Sequence, residues 1–287
     1  MRLITFNRRR DSSMNAYLIN NKTTETSSNY TPIDYINKPI IIYYFINPFC
    51  HTCWNIEPIL KKITMEYGAF CSIRPVIIHS PLIPQSNRFE NNHTIHSLSS
   101  SEEYSIAIAI KAAALQGNKT GRDYLRNVQE SLFLYNKSSV KTIIRQASEH
   151  TNIDVHEFEN DLFSVSAKKA FQSDLELAQE MEVKQFPTFV FLSQHIEDYS
   201  MKVSGAHSYE TYTFIIGKML ESEVMKKTSP SFDDFFKLYK RFHTEEIAFV
   251  FDIPIKEAEN NLKKLQLRQK VKKIEQGQNS FWEVCSN

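Results

Sequence analysis

Glycine is scarce. Only 6 of the 287 residues are Gly, about 2% against an average near 7%. They stand at Gly68, Gly117, Gly121, Gly205, Gly217 and Gly277, never as G-x-G-x-x-G or as a P-loop. A glycine-built cradle for nucleotide phosphates is therefore excluded. Apolar runs are short: none approaches 18 residues, so no membrane-spanning helix is expected. A large charge of either sign is absent too. The net charge is +1, which argues against a general polyanion binder. The N-terminus, M-R-L-I-T-F-N-R-R-R-D, has a four-residue apolar stretch followed by its charges, the reverse of a signal peptide. The expectation is a cytoplasmic protein. In that compartment its four cysteines stay mostly free thiols.

What is present is concentrated between Pro39 and Leu60. The run Ile40 to Ile46, I-I-I-Y-Y-F-I, is β-branched and aromatic and reads as a buried strand. After Asn47-Pro48-Phe49 comes Cys50-His51-Thr52-Cys53, opening onto a helix. A C-x-x-C between strand and helix is the thioredoxin-type signal. The unpaired N–H groups and dipole of a helix start favour an anion there. A Cys50 thiolate would gain from them and from a charged His51. Pro58 is expected to kink this helix without ending it. The competing reading of Cys50 and Cys53 is half of a zinc site, which needs two further ligands. His93 and His96 form one loose pair in a polar loop, no second C-x-x-C exists, and no metal or cofactor is expected.

The second landmark is Gln185-Phe186-Pro187-Thr188-Phe189-Val190-Phe191-Leu192. A thioredoxin-like fold places a cis-proline immediately before its third strand. Phe186-Pro187 fits that loop, since an X-Pro bond takes the cis form at modest cost. Alone, Pro187 would read as a trans proline at a strand start. Between the landmarks, Cys71 to Ile78 reads as a strand, with Cys71 a core residue, and Gly68 as the cap of the helix before it. From Glu102 to about Met181 the apolar spacing is helical throughout.

The expected architecture is α/β. Residues 1–37, polar and Asn/Ser/Thr-rich, are a flexible N-terminal tail. Residues 38–222 form a thioredoxin-like (DsbA-type) domain with a helical insertion at about 102–182. Residues 223–231 are a linker. Residues 232–287 form a small winged-helix-like domain: a helix Phe232–Phe242, two more to Phe251 and Leu267, and a hairpin around Gly277 with Trp282 in its core. Residues 223–287 hold 12 Lys/Arg and 10 Asp/Glu, a weak footprint for a polyanionic duplex. Protein contact is therefore expected of this domain, not nucleic acid.

These residues together resemble the SpxH (YjbH) adaptors of Gram-positive bacteria, which deliver the transcription regulator Spx to the ClpXP protease. The resemblance spans roughly residues 39 to 284. It rests on Cys50 to Lys62, on Ala112-Ala113-Ala114-Leu115-Gln116-Gly117, and on Gln129-Glu130-Ser131-Leu132-Phe133. It rests also on Ala178 to Val183 leading to Pro187, and on Phe281-Trp282. It implies a thioredoxin-like domain that binds a protein rather than turning over disulfides. The implied partners are Spx and, through it, ClpXP, in the thiol and oxidative-stress response, with no membrane or nucleic-acid partner. No catalytic residue follows from it, and the family pattern tolerates loss of the C-x-x-C. The alternative is a cytosolic thiol-disulfide oxidoreductase with Cys50 as nucleophile and Cys53 as resolving thiol.

Overall fold

Strand β3 (Ile40–Ile46) is buried at Ile40, Ile42 and all of Tyr44 to Ile46, as a β-branched and aromatic run inside a sheet must be. It belongs to a computed structural model that describes residues 2–7, 15–20, 38–79, 99–134, 139–194, 199–220, 230–276 and 279–285. Arg8-Arg9-Arg10, the loop holding His93 and His96, most of the linker, and Gly277 lie outside the described residues. The chain divides into two compact units.

The first unit comprises Met1–Tyr30, Ile41–Asn55 and Ile73–Ala206. Its six-stranded sheet has the order β2-β1-β6-β5-β3-β4. The strands are β1 (Arg2–Asn7), β2 (Asn15–Asn20), β3, β4 (Cys71–Ile77), β5 (Thr188–Ser193) and β6 (Tyr199–Ser204). β5 and β6 pair antiparallel, Thr188 opposite Ser204. β1 runs parallel to β6, Arg2 opposite Tyr199. The N-terminal segment is thus not wholly the flexible tail expected: two six-residue pieces of it extend the sheet. The short apolar groups Leu3-Ile4 and Tyr17-Leu18-Ile19 find a ladder here that a local reading of a polar segment cannot supply. β4 closes the other edge and carries Arg74 and Pro75 at its middle, the usual place for a proline in a sheet.

Among the described residues, five helices lie between β4 and β5: α3 (Ser100–Leu115), α4 (Asn118–Phe133), α5 (Val140–Glu149), α6 (Val155–Asp161) and α7 (Val165–Glu180). α3 starts at a capping box, with Ser99 N–H donating to Glu102 at 2.7 Å, which satisfies two orphan donors. It packs against α4, α5, α6 and α7, and its Ala/Ile composition leaves it apolar on most sides. α4 crosses it closely: a Cβ at Gly121 would stand 2.6 Å from the Ala114 Cβ. Asp174 of α7 is buried. It accepts from Lys111 of α3 at 2.8 Å and from the Ile77 N–H of β4 at 2.7 Å, tying helices to sheet. Burial raises its carboxyl above the usual range, with the Lys111 charge opposing.

The second unit comprises Thr31–Ile40, Ile56–Ser72 and His207–Asn287. This grouping differs from the expected division at residues 223–231. α2 (Glu57–Tyr67) and α8 (Tyr209–Leu220) cluster with the C-terminal elements α9 (Phe232–Leu238), β7 (Arg241–Phe242), α10 (Thr244–Val250), α11 (Ile255–Leu267), β8 (Val271–Gln276) and β9 (Asn279–Val284). The reason is charge as well as packing. Lys61 Nζ bonds Glu246 Oε1 at 2.7 Å with both side chains buried, and Lys62 pairs with Asp252 while lying over the Tyr209 ring. Met65 of α2 shares a core with Phe235, Phe236, Phe242, Ile247, Leu262 and Trp282.

β8 and β9 form the expected hairpin, Lys273 opposite Trp282, and β7 joins its far side to give the order β7-β9-β8. The helix expected over Phe232–Phe242 stops at Leu238, because Arg241–Phe242 pairs with Glu283 and Trp282. Trp282 is buried, and its indole N–H donates to Thr244 Oγ1 at 3.0 Å.

Candidate functional site

The turn that delivers the cysteines is built by Asn47. Its side-chain oxygen accepts from Phe49 N–H at 2.9 Å and its carbonyl from Cys50 N–H at 3.0 Å, an Asx-type arrangement that sets the chain direction. Helix α1 (His51–Asn55) follows, with Cys53 and Trp54 N–H both donating to the Cys50 carbonyl, at 3.0 and 3.2 Å. The helix then breaks. Ile56 separates α1 from α2, and Pro58 sits in the first turn of α2. The expectation of a kink within one helix is corrected: Pro58 has no N–H to continue the ladder. Ile56 keeps right-handed angles (φ −86°, ψ −10°) and accepts from Ile59 and Leu60. Gly68 does close α2, at φ −61°. It is needed there because a Cβ would meet the Thr64 carbonyl oxygen at 2.2 Å.

The two thiols differ. Cys50 is half-buried and Cys53 fully buried. The Cys50 thiol is held at about 6 by hydrogen bonding from the Cys53 thiol, helped by the N–H groups of Cys53 and Thr52 and the Thr52 hydroxyl, against desolvation. Cys53 is pushed well up, first by burial and then by the Cys50 sulfur beside it. His51, expected to stabilise the thiolate by its charge, packs its ring on Phe133 of α4 at 4.7 Å. The arrangement provides one half-buried sulfur whose thiol is held low and one buried sulfur whose thiol is pushed up. That pair suits attack on a disulfide followed by resolution from Cys53. Cys71 is unreactive: burial pushes it to about 12.

The Phe186–Pro187 peptide is cis. Several groups fix the loop that carries it. Pro187 C=O accepts from Gly205 N–H at 2.7 Å, and Thr188 Oγ1 donates to Gln185 C=O at 2.8 Å. Upstream, buried Lys202 of β6 donates to the carbonyls of Met181 and Glu182 at 2.9 and 3.0 Å, capping α7 as a cation should. Burial lowers its pKa, with the Glu182 charge opposing. The link to the cysteines runs through Tyr44. Its ring stacks on Phe189 at 4.8 Å, and its hydroxyl donates to the Cys53 carbonyl at 2.9 Å.

α4 of the insertion lies over α1. The Arg126 guanidinium sits 3.8 Å from the Trp54 ring centroid and bonds Glu130 at 3.0 Å, and Phe133 reaches both His51 and Trp54. Gln129 on the same helix is fully buried, and among the described residues its amide has no hydrogen-bond partner. The helical apolar spacing read from Glu102 to Met181 gives these side chains no role: Arg126 is marked only by its helical spacing with Phe133, and Gln129 and Glu130 also by the family-like run Gln129–Phe133. No cluster of three or more His, Cys, Asp or Glu able to hold a metal occurs among the described residues. The zinc alternative had drawn on His93 and His96, which lie outside them. Among the described residues no helix is long and apolar enough to cross a membrane.

Comparison with known proteins agrees with this geometry. The Thioredoxin family matches residues 43–214. The ClpXP adapter protein SpxH of Bacillus subtilis is 35% identical over 272 residues, covering 87% of this chain and 90% of that protein. The ClpXP adapter protein SpxH of Bacillus cereus is 35% identical over 269 residues, covering 86% and 91%. Among solved structures, Wolbachia pipientis α-DsbA1 aligns with TM-score 0.48 at 14% identity, over 64% of this chain and 87% of that one. A thioredoxin-like fold, a C-x-x-C at its helix start, and similarity running nearly end to end with the relatives place this chain in the SpxH family.

Proposed function

We propose that this chain is a cytoplasmic adaptor that binds the transcription regulator Spx and promotes its degradation by the ClpXP protease, within control of the thiol and oxidative-stress response. One observation carries the reading. Similarity to proteins named ClpXP adapters covers 87% of the chain, well beyond the thioredoxin match at 43–214. It therefore takes in residues that a plain oxidoreductase does not need. The reading keeps a thioredoxin-like domain at 38–222 and a winged-helix-like C-terminal domain at 232–287. The order helix, strand, helix, helix, hairpin supports the latter. The physics is a population shift: binding energy favours a client pose in which the protease can engage it. Reconstituted ClpXP, Spx and this protein test it. Faster Spx loss with the protein is expected, and an unchanged rate refutes it.

A second reading, thiol-disulfide exchange by Cys50 and Cys53 beside the Phe186-Pro187 loop, is favoured by the unequal thiols. Insulin reduction tests it. A rate no higher than that of free dithiothreitol refutes turnover.

A further inference from the structure

Cys53 is fully buried, with none of its surface open to water. A thiol attacks only as its thiolate, so Cys53 must shed a proton before it can displace anything from Cys50. The groups beside its sulfur are the Cys50 sulfur, the Asn47 backbone and the Tyr44 hydroxyl. That hydroxyl donates to the Cys53 carbonyl at 2.9 Å. Its ring is pinned by Phe189, stacked at 4.8 Å with 5° between the planes. A phenol donates at neutral pH and takes up no proton. Among the described residues no third His, Cys, Asp or Glu joins Cys50 and Cys53 in a group that could share an ion. The neighbouring imidazole, His51, packs its ring on Phe133.

Burial is the largest of the causes that push Cys53 up, ahead of the Cys50 sulfur. The Cys50 charge vanishes once that sulfur enters a mixed disulfide. Burial does not, and it disfavours the anion whatever Cys50 carries.

We propose that Cys50 retains its disulfide partners as mixed disulfides, because no carboxylate or imidazole among the described residues stands ready to take the Cys53 proton, and that Tyr44 positions Cys53 for the slow release. This deepens the thiol-disulfide reading above and rests on it. In the first step the Cys50 thiolate attacks one sulfur of R–S–S–R. The reagent's S–S bond breaks, Cys50–S–S–R forms and R–S⁻ leaves. In the second step Cys53 gives its proton to water and its thiolate attacks the Cys50 sulfur. The Cys50–Cys53 disulfide forms and a second R–S⁻ leaves. The pair is then oxidised by two electrons and the reagent reduced by two. The first step needs only the half-buried sulfur; the second waits on the proton. An added thiol can also take R from Cys50, so retention is reversible.

The probe is glutathione disulfide, added in excess to the reduced full chain carrying Cys285→Ser. Acid quenching and mass spectrometry separate the glutathionyl adduct from the internal disulfide. At about pH 7 the adduct should be the main product at early times, and its conversion should quicken about tenfold per pH unit up to about pH 9. Adduct formation should vary little over that range, since Cys50 titrates at about 6. Tyr44→Phe keeps the ring and loses the hydroxyl. It should slow conversion about fivefold and leave adduct formation unchanged. Tyr44→Glu sets a carboxylate beside Cys53 and should speed conversion about tenfold or more, with a shallower rise with pH.

A wild type that yields only the internal disulfide, while Cys53→Ser accumulates the adduct, overturns retention and leaves exchange standing. No adduct in either overturns both. Conversion that is flat with pH, or equal in Tyr44→Phe, overturns the proposal as well. Should Tyr44→Glu fail to fold, the wild-type pH profile and Tyr44→Phe still decide.

Discussion

Replacing Cys53 with Ala should move the titration of Cys50 upward, because the Cys53 thiol is the largest of the groups holding Cys50 at about 6. Loss of that donor leaves the backbone N–H groups of the turn, so a value of about 8 is expected, short of the ordinary thiol range. The consequence for reactivity is not a uniform slowing. At about pH 7 the thiolate fraction falls about tenfold. A more basic thiolate is also more nucleophilic, by nearly the same factor over two pH units at a Brønsted slope of about 0.45. The two effects nearly cancel there. At about pH 5.5 the fraction falls from about a quarter to about 0.3%, and alkylation should be about tenfold slower. The assay is the pH profile of iodoacetamide alkylation with Cys285 replaced by Ser, since Cys285 is partly exposed and Cys71 is buried. A midpoint that stays near 6 in Cys53→Ala would refute the assignment of the thiolate's stabilisation to Cys53. A wild-type midpoint near the ordinary thiol value would refute the whole hydrogen-bond account.

Lys61→Met should cost about 3–5 kcal/mol in urea unfolding, since it leaves Glu246 buried without its cation, and Lys61→Met/Glu246→Leu should recover most of that loss. Lys202→Met should cost about 1–3 kcal/mol by removing the charged cap from Met181 and Glu182, and should raise hydrogen exchange in residues 181–187 before it raises exchange in β5. Gly121→Ala should cost about 1–3 kcal/mol by forcing α4 off α3, with part of it restored in Ala114→Gly/Gly121→Ala. Asp174 works in the opposite sense from a carboxylate held low. Its folded value is raised, so its charged form is disfavoured at neutral pH and this term eases as pH falls through the folded value. Asp174→Leu, which removes the titrating group and with it this gain toward low pH, should therefore steepen the acid limb of the stability profile there while lowering stability at neutral pH by orphaning Lys111.

What could be read from the chain was what is encoded within one or two turns. The strand at Ile40–Ile46, the C-x-x-C, the proline before Thr188 and the hairpin of β8 and β9 all carry their signals in neighbouring residues. What could not be read depends on distant partners. Lys61 and Lys62 look like solvent-facing charges until Glu246 and Asp252, 185 and 190 residues away, account for them. β1 and β2 look like parts of a polar tail because the strand that β1 joins is Tyr199–Ser204. Trp54 gives no hint that Arg126 will lie against it. His51 likewise gives no hint that its ring will pack on Phe133. The site was legible as a pair of cysteines and a proline, and illegible as a roofed, unequal pair.

The arginine and proline at the middle of β4 have a consequence for how this protein avoids its own kind. A free sheet border invites another chain to continue the ladder. Proline offers no hydrogen to that border, and a guanidinium beside it resists being sealed under a neighbour. Among the described residues, Cys71–Ile77 at the border is thus a poor template for a further strand, although the apolar centre, Ile40 to Ile46, lies one strand away. A border built this way favours the folded chain over edge-to-edge stacking of its copies.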